Sequence, residues 1–138
     1  MNPLFSSRGK ASKHGLTDGR LADCPDSPNC VCSDNVGTAH MIEPFLLNSV
    51  AADAWSRIER IVRELPRTRV VSCSADYLHA ECSSAIFGFV DDLELHLRRD
   101  EGIIAARSAS RMGYSDLGVN RRRVERLRAI LRAQNIIR

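Results

Sequence analysis

Carboxylates and arginines are the residues best placed to do chemistry in this chain, and they gather in its second half. The segment RSASRMGYSDLGVNRRR, residues 107–123, places three consecutive arginines at the start of a predicted helix. Cations at that position oppose the helix macrodipole, so negative charge must offset them. Either carboxylates of the protein pair with these arginines, or an external anion binds where guanidinium and backbone N–H groups converge.

The acidic groups are predicted to come from neighbouring strands. In FVDDLELHLR, residues 89–98, alternation places Asp91 on the core-facing side and Asp92 on the opposite side. A buried carboxylate needs a partner, and arginines follow in the next predicted strand and loop. We therefore predict a cluster at one end of the sheet, formed by Glu81, Asp91, Asp92, Arg107, Arg111 and Arg121.

A second set of titratable residues lies on the preceding predicted strand. The segment YLHAECSS, residues 77–84, places His79 and Glu81 on one face. Two such groups could form a general acid/base pair or ligate a metal. The alternative is a polar outer face, which is ordinary on the solvent side of an antiparallel sheet.

The five cysteines do not predict a metal site. Cys24, Cys30 and Cys32 have the spacing C-x5-C-x-C, which lacks the paired C-x2-C of a zinc site. We predict no metal and no cofactor. A disulfide between Cys24 and Cys30 is stereochemically feasible, but a reducing compartment would keep thiols, and Cys73 and Cys82 are expected to be small hydrophobic residues of strands.

Composition narrows the class of protein. The chain has 138 residues, 43% of them hydrophobic and 27% charged, which is typical of one globular domain. There is no apolar stretch of the roughly 20 residues that a membrane span needs, and the polar N-terminus lacks the apolar region of a signal peptide, so a cytoplasmic location is expected. Residues 111–138 hold eight arginines and two acidic residues, but aromatic residues make up only 5% of the chain. Specific nucleic-acid binding is therefore not predicted.

Periodicity predicts the elements that would position these residues. An amphipathic helix is expected over Ser49–Leu65 with Ser49 as N-cap, and a last helix after Gly118 with Asn120 as N-cap. Four strands are expected between them, and MIEPFLL, residues 41–47, could add a short edge strand. The predicted fold is α+β, an antiparallel sheet of four or five strands with two helices packed on one face, as a single domain over residues 21–138 behind a flexible tail over residues 1–20.

Three blocks of sequence carry a resemblance to a known family. CPDSPNCVCSD, YLHAECSSAIFGFVDDLEL and IIAARSASRMGYSDLGVNRRRVERLR together resemble the family catalogued as domain of unknown function 1499, over about residues 21–131. The resemblance implies a shared α+β fold and no established activity. The family occurs in bacteria and plant plastids, and many members resemble exported or membrane-tethered proteins. Its pattern also matches at Ser110, Asp116 and Asn120, which adds these residues to the candidate cluster.

Two functions remain open from the sequence. The first is a non-enzymatic binding module whose cluster receives a small anion, a polar headgroup or an acidic protein segment. The second is a hydrolase-like enzyme, with Glu81 or Asp91 as general base and Arg107 or Arg111 stabilising a developing anion. No P-loop, nucleophile elbow or dinucleotide-binding fingerprint is present to decide between them.

Overall fold

The periodicity in the middle of the chain is realised as one helix followed by four long antiparallel strands. The computed structural model describes residues 14–49, 52–85 and 88–138. The strands and α-helices of the chain are β1 (Leu16–Thr17), β2 (Arg20–Leu21), β3 (Cys30–Cys32), β4 (Phe45–Leu46), α1 (Ala54–Glu64), β5 (Thr68–Cys73), β6 (Tyr77–Ser83), β7 (Val90–Arg98), β8 (Ile103–Ser110) and α2 (Val119–Ala133). A short 3-10 helix at Thr38–His40 lies between β3 and β4.

The main sheet is antiparallel and has six strands. Its order is β3-β8-β7-β6-β5, and β4 also pairs with β8. The α+β prediction is confirmed. The edge strand expected within residues 41–47 is β4, and the strand count exceeds the predicted four or five because β3 also joins β8. These two strands have only three and two residues, which is too short to show an alternating pattern.

Both helices pack on the same face of the sheet, as predicted. The core joins Ile58 and Val62 of α1 and Leu127 of α2 to inward-facing residues of β6 and β7 such as Leu78 and Leu95. All five side chains are at most 1% exposed. Burying apolar side chains on this scale is the main source of stability for a domain of this size.

The opposite face of the sheet is also covered, which the sequence did not predict. A two-stranded sheet of β1 and β2 lies over it, and Leu21 of that sheet packs with Cys32 and Ala105 in a second, smaller core. The backbone N–H of Gly15 donates to Glu94 of β7. Part of the predicted tail, residues 14–20, therefore takes part in this cover, while residues 1–13 lie outside the described residues.

The two helices begin at other residues than their sequences indicated. Asp53 precedes the first residue of α1, whereas the N-cap was predicted at Ser49, and residues 50–51 between them are not described. Gly118, with φ of 81°, precedes α2, so the prediction of Asn120 as N-cap is wrong. Asn120 instead lies in the first turn, fully buried. Neither α1 nor α2 nor any other described helix has the length and apolar character needed to cross a membrane.

Candidate functional site

The sheet divides the predicted cluster between its two faces. Glu81 is opposite Asp92 in the register of β6 and β7, on the face covered by β1 and β2. Asp91, one residue earlier, is opposite Ser110 and faces the helices. Arg121 lies apart from both groups on the exposed side of α2, where its guanidinium donates to the carbonyl of Met41 at 3.2 Å. The nine candidates therefore do not form one site.

On the face covered by β1 and β2, Arg111 connects two carboxylates. Its guanidinium donates to both oxygens of Asp92, at 2.9 and 2.8 Å, and also to Glu81. His79 Nε2 is 2.7 Å from Asp92 Oδ1, and Arg69 donates to Glu81 at 2.6 Å. We call these five residues the Arg111 network. Its guanidinium groups are already bound by carboxylates of the protein.

The pKa values in the Arg111 network follow from this pairing. Burial alone would raise the pKa of Asp92, but hydrogen bonds from His79 and Arg111 outweigh it and hold that pKa well below its usual range. The hydrogen bond from Arg111 likewise lowers the pKa of Glu81. Both carboxylates are therefore ionised at neutral pH, and neither has the raised pKa expected of a general base.

A second buried ion pair lies beside the Arg111 network. Arg107 Nη1 donates to Glu94 Oε2 at 3.2 Å, and the two side chains are 1% and 0% exposed. The other oxygen of Glu94 accepts from the Tyr77 hydroxyl and the Gly15 N–H, both at 2.7 Å. Burial and the adjacent Glu94 carboxylate raise the pKa of Tyr77. Glu94 shares its side of β7 with Asp92, and Arg107 lies directly opposite it on β8.

On the face of the sheet that carries the helices, Asn120 binds two further candidate residues, Ser110 and Asp116. Its amide donates to Ser110 Oγ at 2.9 Å and to Asp116 Oδ2 at 2.8 Å, and its carbonyl oxygen accepts from Arg123 at 2.8 Å. Asp116 also accepts the backbone N–H of Gly118 at 2.8 Å, which satisfies a donor at the start of α2. These bonds fix the loop before α2 and the direction in which its first arginines project.

Arg123, which was not among the predicted candidates, is the ion-pair partner of Asp91. Its guanidinium lies 2.8 Å from Asp91, the core-facing carboxylate for which Arg107 or Arg111 had been proposed as partner. Burial raises the pKa of Asp91, although Arg123 and Ser110 act in the opposite direction. Arg123 is the third of three consecutive arginines, and helical periodicity could have indicated that it turns towards the sheet.

A groove opens beside Arg123. It has a volume of about 540 Å³ and lies between the turn before β5 and the first half of α2. Arg67, Arg122, Arg123 and Arg126 line it, together with Glu125 and an apolar floor that includes Leu65 and Leu127. We call it the arginine groove.

Most of the guanidinium groups in the arginine groove have no carboxylate partner within the part of the chain that the structure describes. Arg123 is bound to Asp91, and the Glu125 carboxylate is bound to Arg128 outside the groove at 2.6 Å. Arg67 and Arg122 are exposed and donate only to backbone carbonyls, those of Ser83 and Leu117. Among the described residues, neither of these two nor Arg126 forms an ion pair with a carboxylate.

A second groove of about 600 Å³ lies on the other side of α2. Arg121, Arg128, Arg132 and Arg138 line it, but so do Glu43 and Glu125. Arg128 is bound to Glu125, lies over the Phe45 ring and donates to two backbone carbonyls. This groove thus offers more acidic residues and a more fully bonded central arginine than the arginine groove.

One group of residues has the proximity required of metal ligands. Ligand atoms of His14, His79 and Asp92 lie within 4.8 Å of one another. The imidazole rings of the two histidines are stacked, with centroids 4.4 Å apart, so their in-plane lone pairs do not converge on one point. The Asp92 carboxylate also binds Arg111, whose positive charge would compete with a cation. This arrangement fits an ion-paired network better than a metal centre.

The cysteines differ from the prediction in one respect. Cys24 and Cys30 form a disulfide across the turn that contains Pro25 and Pro28, so the expectation of free thiols is wrong for this pair. That turn brings their Cα atoms to 5.6 Å, within the range of a disulfide. Cys32 and Cys82 are buried free thiols, and burial raises the pKa of Cys32 to about 11. Cys32 therefore stays protonated at neutral pH.

These features define an α+β domain with ion pairs on both faces of its sheet and a basic groove beside its last helix. The chain belongs to the family described as Protein of unknown function (DUF1499), whose model matches residues 20–131. This match confirms the resemblance seen in the three sequence blocks. No curated protein and no solved structure matches the chain significantly.

Proposed function

We propose that this domain is a binding module for an anionic ligand and that the arginine groove receives the ligand. The observation that carries the proposal is the set of unpaired guanidinium groups at Arg67, Arg122 and Arg126, placed around one concave surface. An arginine can present two parallel N–H donors to a phosphate or a carboxylate, which makes it the residue suited to such ligands. The Arg111 network and the Arg107–Glu94 pair then have a structural role, because their charges neutralise one another.

The position of Arg122 and Arg126 supports the proposal further. They lie one helical turn apart on α2, so their side chains leave the same face of the helix. Arg123, between them in sequence, is bound to Asp91 and Asn120 and lines the arginine groove. A tetrahedral or planar anion could thus accept hydrogen bonds from Arg122 and Arg126 without displacing a bond between the protein's own side chains.

The first test uses inorganic phosphate as the probe. We expect Arg126→Ala to weaken phosphate binding about tenfold, because a charge-assisted hydrogen bond contributes roughly 1.5–3 kcal/mol. Isothermal titration calorimetry at low ionic strength measures this change, since salt screens such contacts. Arg60→Ala, on the exposed side of α1, controls for net charge, and Arg132→Ala controls for the second groove. Equal weakening in all three variants would count against a specific site.

A hydrolase is the second candidate, and one observation favours Asp91 over Glu81 as its base. Asp91 is bound to Arg123, which lines the arginine groove, and its pKa is raised by burial, whereas the pKa of Glu81 is lowered by Arg111. If the groove were catalytic, turnover of p-nitrophenyl phosphate or p-nitrophenyl acetate should fall at least 100-fold in Asp91→Asn, a loss typical of a general base. Turnover that is absent, or unchanged in this variant, would exclude the candidate for these substrates.

A further inference from the structure

Large apolar side chains are exposed beside the arginine groove. Leu117, immediately before α2, is 84% exposed, and Tyr114 in the same loop is 69% exposed. Val119, which lines the groove itself, is 39% exposed. Single exposed apolar residues are ordinary, but these three lie within six positions of the chain, across the loop and the first residue of α2, and Leu117 and Val119 adjoin the groove arginines.

Positive and apolar groups are therefore combined on one rim of the molecule. The Arg122 guanidinium donates to the carbonyl of Leu117 at 2.8 Å, so the backbone of an exposed apolar residue and a groove arginine are in direct contact. The loop is also firmly held, because Asn29 donates to the carbonyls of Met112 and Gly113 and Asp116 accepts from Gly118. The apolar side chains are thus presented to solvent by an ordered backbone.

We infer that the rim formed by Tyr114, Leu117, Val119, Arg67, Arg122 and Arg126 docks on the surface of a membrane that contains anionic lipid. This inference rests on the proposed anion site and names the source of the anion, the phosphate of a lipid headgroup. The arginines contact headgroup phosphates, and Leu117 and Tyr114 enter the interfacial layer above the acyl chains. A basic patch combined with exposed apolar side chains is the combination that attaches proteins peripherally to such surfaces.

Charge and shape favour a lipid surface over other polyanions. Leu117 projects from the loop instead of lining a pocket, so it can insert into a soft interface more readily than it can fit against a folded partner. Nucleic-acid binding would use the basic residues, but an aliphatic side chain at the centre of the contact adds little to base stacking. The three unpaired arginines of the groove complement the negative surface potential of an anionic leaflet.

Co-sedimentation with two kinds of vesicle tests the inference. One kind contains phosphatidylcholine alone, and the other contains phosphatidylcholine with about one-third phosphatidylglycerol. The protein should bind the anionic vesicles and not the neutral ones. Arg122→Ala combined with Arg126→Ala should weaken binding more than tenfold, since each arginine near an anionic surface contributes roughly fivefold. Leu117→Ser should weaken it about tenfold through the loss of apolar contact.

Two control variants match these changes. Val36 is 85% exposed and lies two residues after Asp34. The Asp34 carboxylate pairs with Arg98, the last residue of β7, whereas Asp91 is near the start of that strand. Val36→Ser should therefore leave vesicle binding unchanged, as should Arg60→Ala. Phosphate binding measured on the same samples should be lost in the double arginine variant and retained in Leu117→Ser.

The other possible outcomes show whether the membrane inference fails alone or together with the proposed anion site. Binding of phosphate without binding of anionic vesicles, or vesicle binding unaffected by Leu117→Ser, would overturn the membrane inference and leave the anion site intact. Binding of poly-glutamate but not of vesicles would assign the rim to an acidic protein partner and overturn it as well. Failure to bind either phosphate or vesicles would overturn both proposals together.

Discussion

Replacing Arg107 with alanine is expected to lower the free energy of unfolding by about 3–5 kcal/mol, the range measured when one member of a buried ion pair is removed. Arg107 and Glu94 are at most 1% exposed, so the variant would leave a carboxylate buried without its cation. The Tyr77 hydroxyl and the Gly15 N–H would remain as hydrogen-bond donors but carry no charge. Chemical denaturation monitored by circular dichroism measures the loss.

A double variant controls for this interpretation. Arg107→Met combined with Glu94→Gln removes both charges and keeps an acceptor for the Tyr77 hydroxyl, so it should be clearly more stable than Arg107→Ala. If Arg107→Ala unfolds within about 1 kcal/mol of the parent protein, the pair is not the buried, mutually dependent unit described here, since surface pairs contribute on that scale.

The second large effect is acid unfolding controlled by Asp92. The folded-state pKa of Asp92 lies below its unfolded-state value, so its contribution to stability is present above about pH 4 and is lost as the pH falls further. A salt-bridged carboxylate whose pKa is lowered in the folded state contributes about 2–3 kcal/mol in this way. Asp34 and Glu81, whose pKa values are also lowered, add to the loss in the same direction.

Two asparagine variants test whether each carboxylate loses or gains stabilising effect as the pH falls. Asp92→Asn should be less stable than the parent at pH 7 and should lose much less stability between pH 7 and pH 3. Asp91→Asn should keep the parent's acid sensitivity, because burial raises the Asp91 pKa and its protonation at low pH relieves a penalty instead of adding one. Parallel stability curves for the parent and Asp92→Asn would contradict the assignment of acid sensitivity to this carboxylate.

The parts of the fold that the sequence predicted are those with sustained periodicity. The helix α1 and the strands β5 to β8 each span six or more residues, long enough for a pattern of period 3.6 or 2 to emerge. The hairpin of β1 and β2 could not be predicted in this way, because each strand has two residues. Its signal was the turn at Asp18-Gly19 between Leu16 and Leu21, which is typical of a hairpin.

The covered second face explains why some members of the predicted cluster lie apart from the others. Asp92, Glu94 and His96 alternate with leucines, a pattern that ordinarily indicates solvent on the polar side. The ion pairs themselves were accessible to sequence reasoning, since Arg111 does reach Asp92 and Glu81. Alternation placed Asp91 and Asp92 on opposite faces, but the sequence could not show which arginine each one binds, because pairing across the sheet and to α2 depends on tertiary contacts.

The location of bound phosphate shows whether the arginine groove is the anion site. In an NMR titration of the parent protein with inorganic phosphate, we expect chemical-shift changes to centre on the side chains of Arg122 and Arg126 and on the backbone amides of Thr68 and Ser83 beside them. Changes centred on Arg111 and Glu81, on Arg132, or on no group of residues at all would contradict the claim that the arginine groove binds the anion.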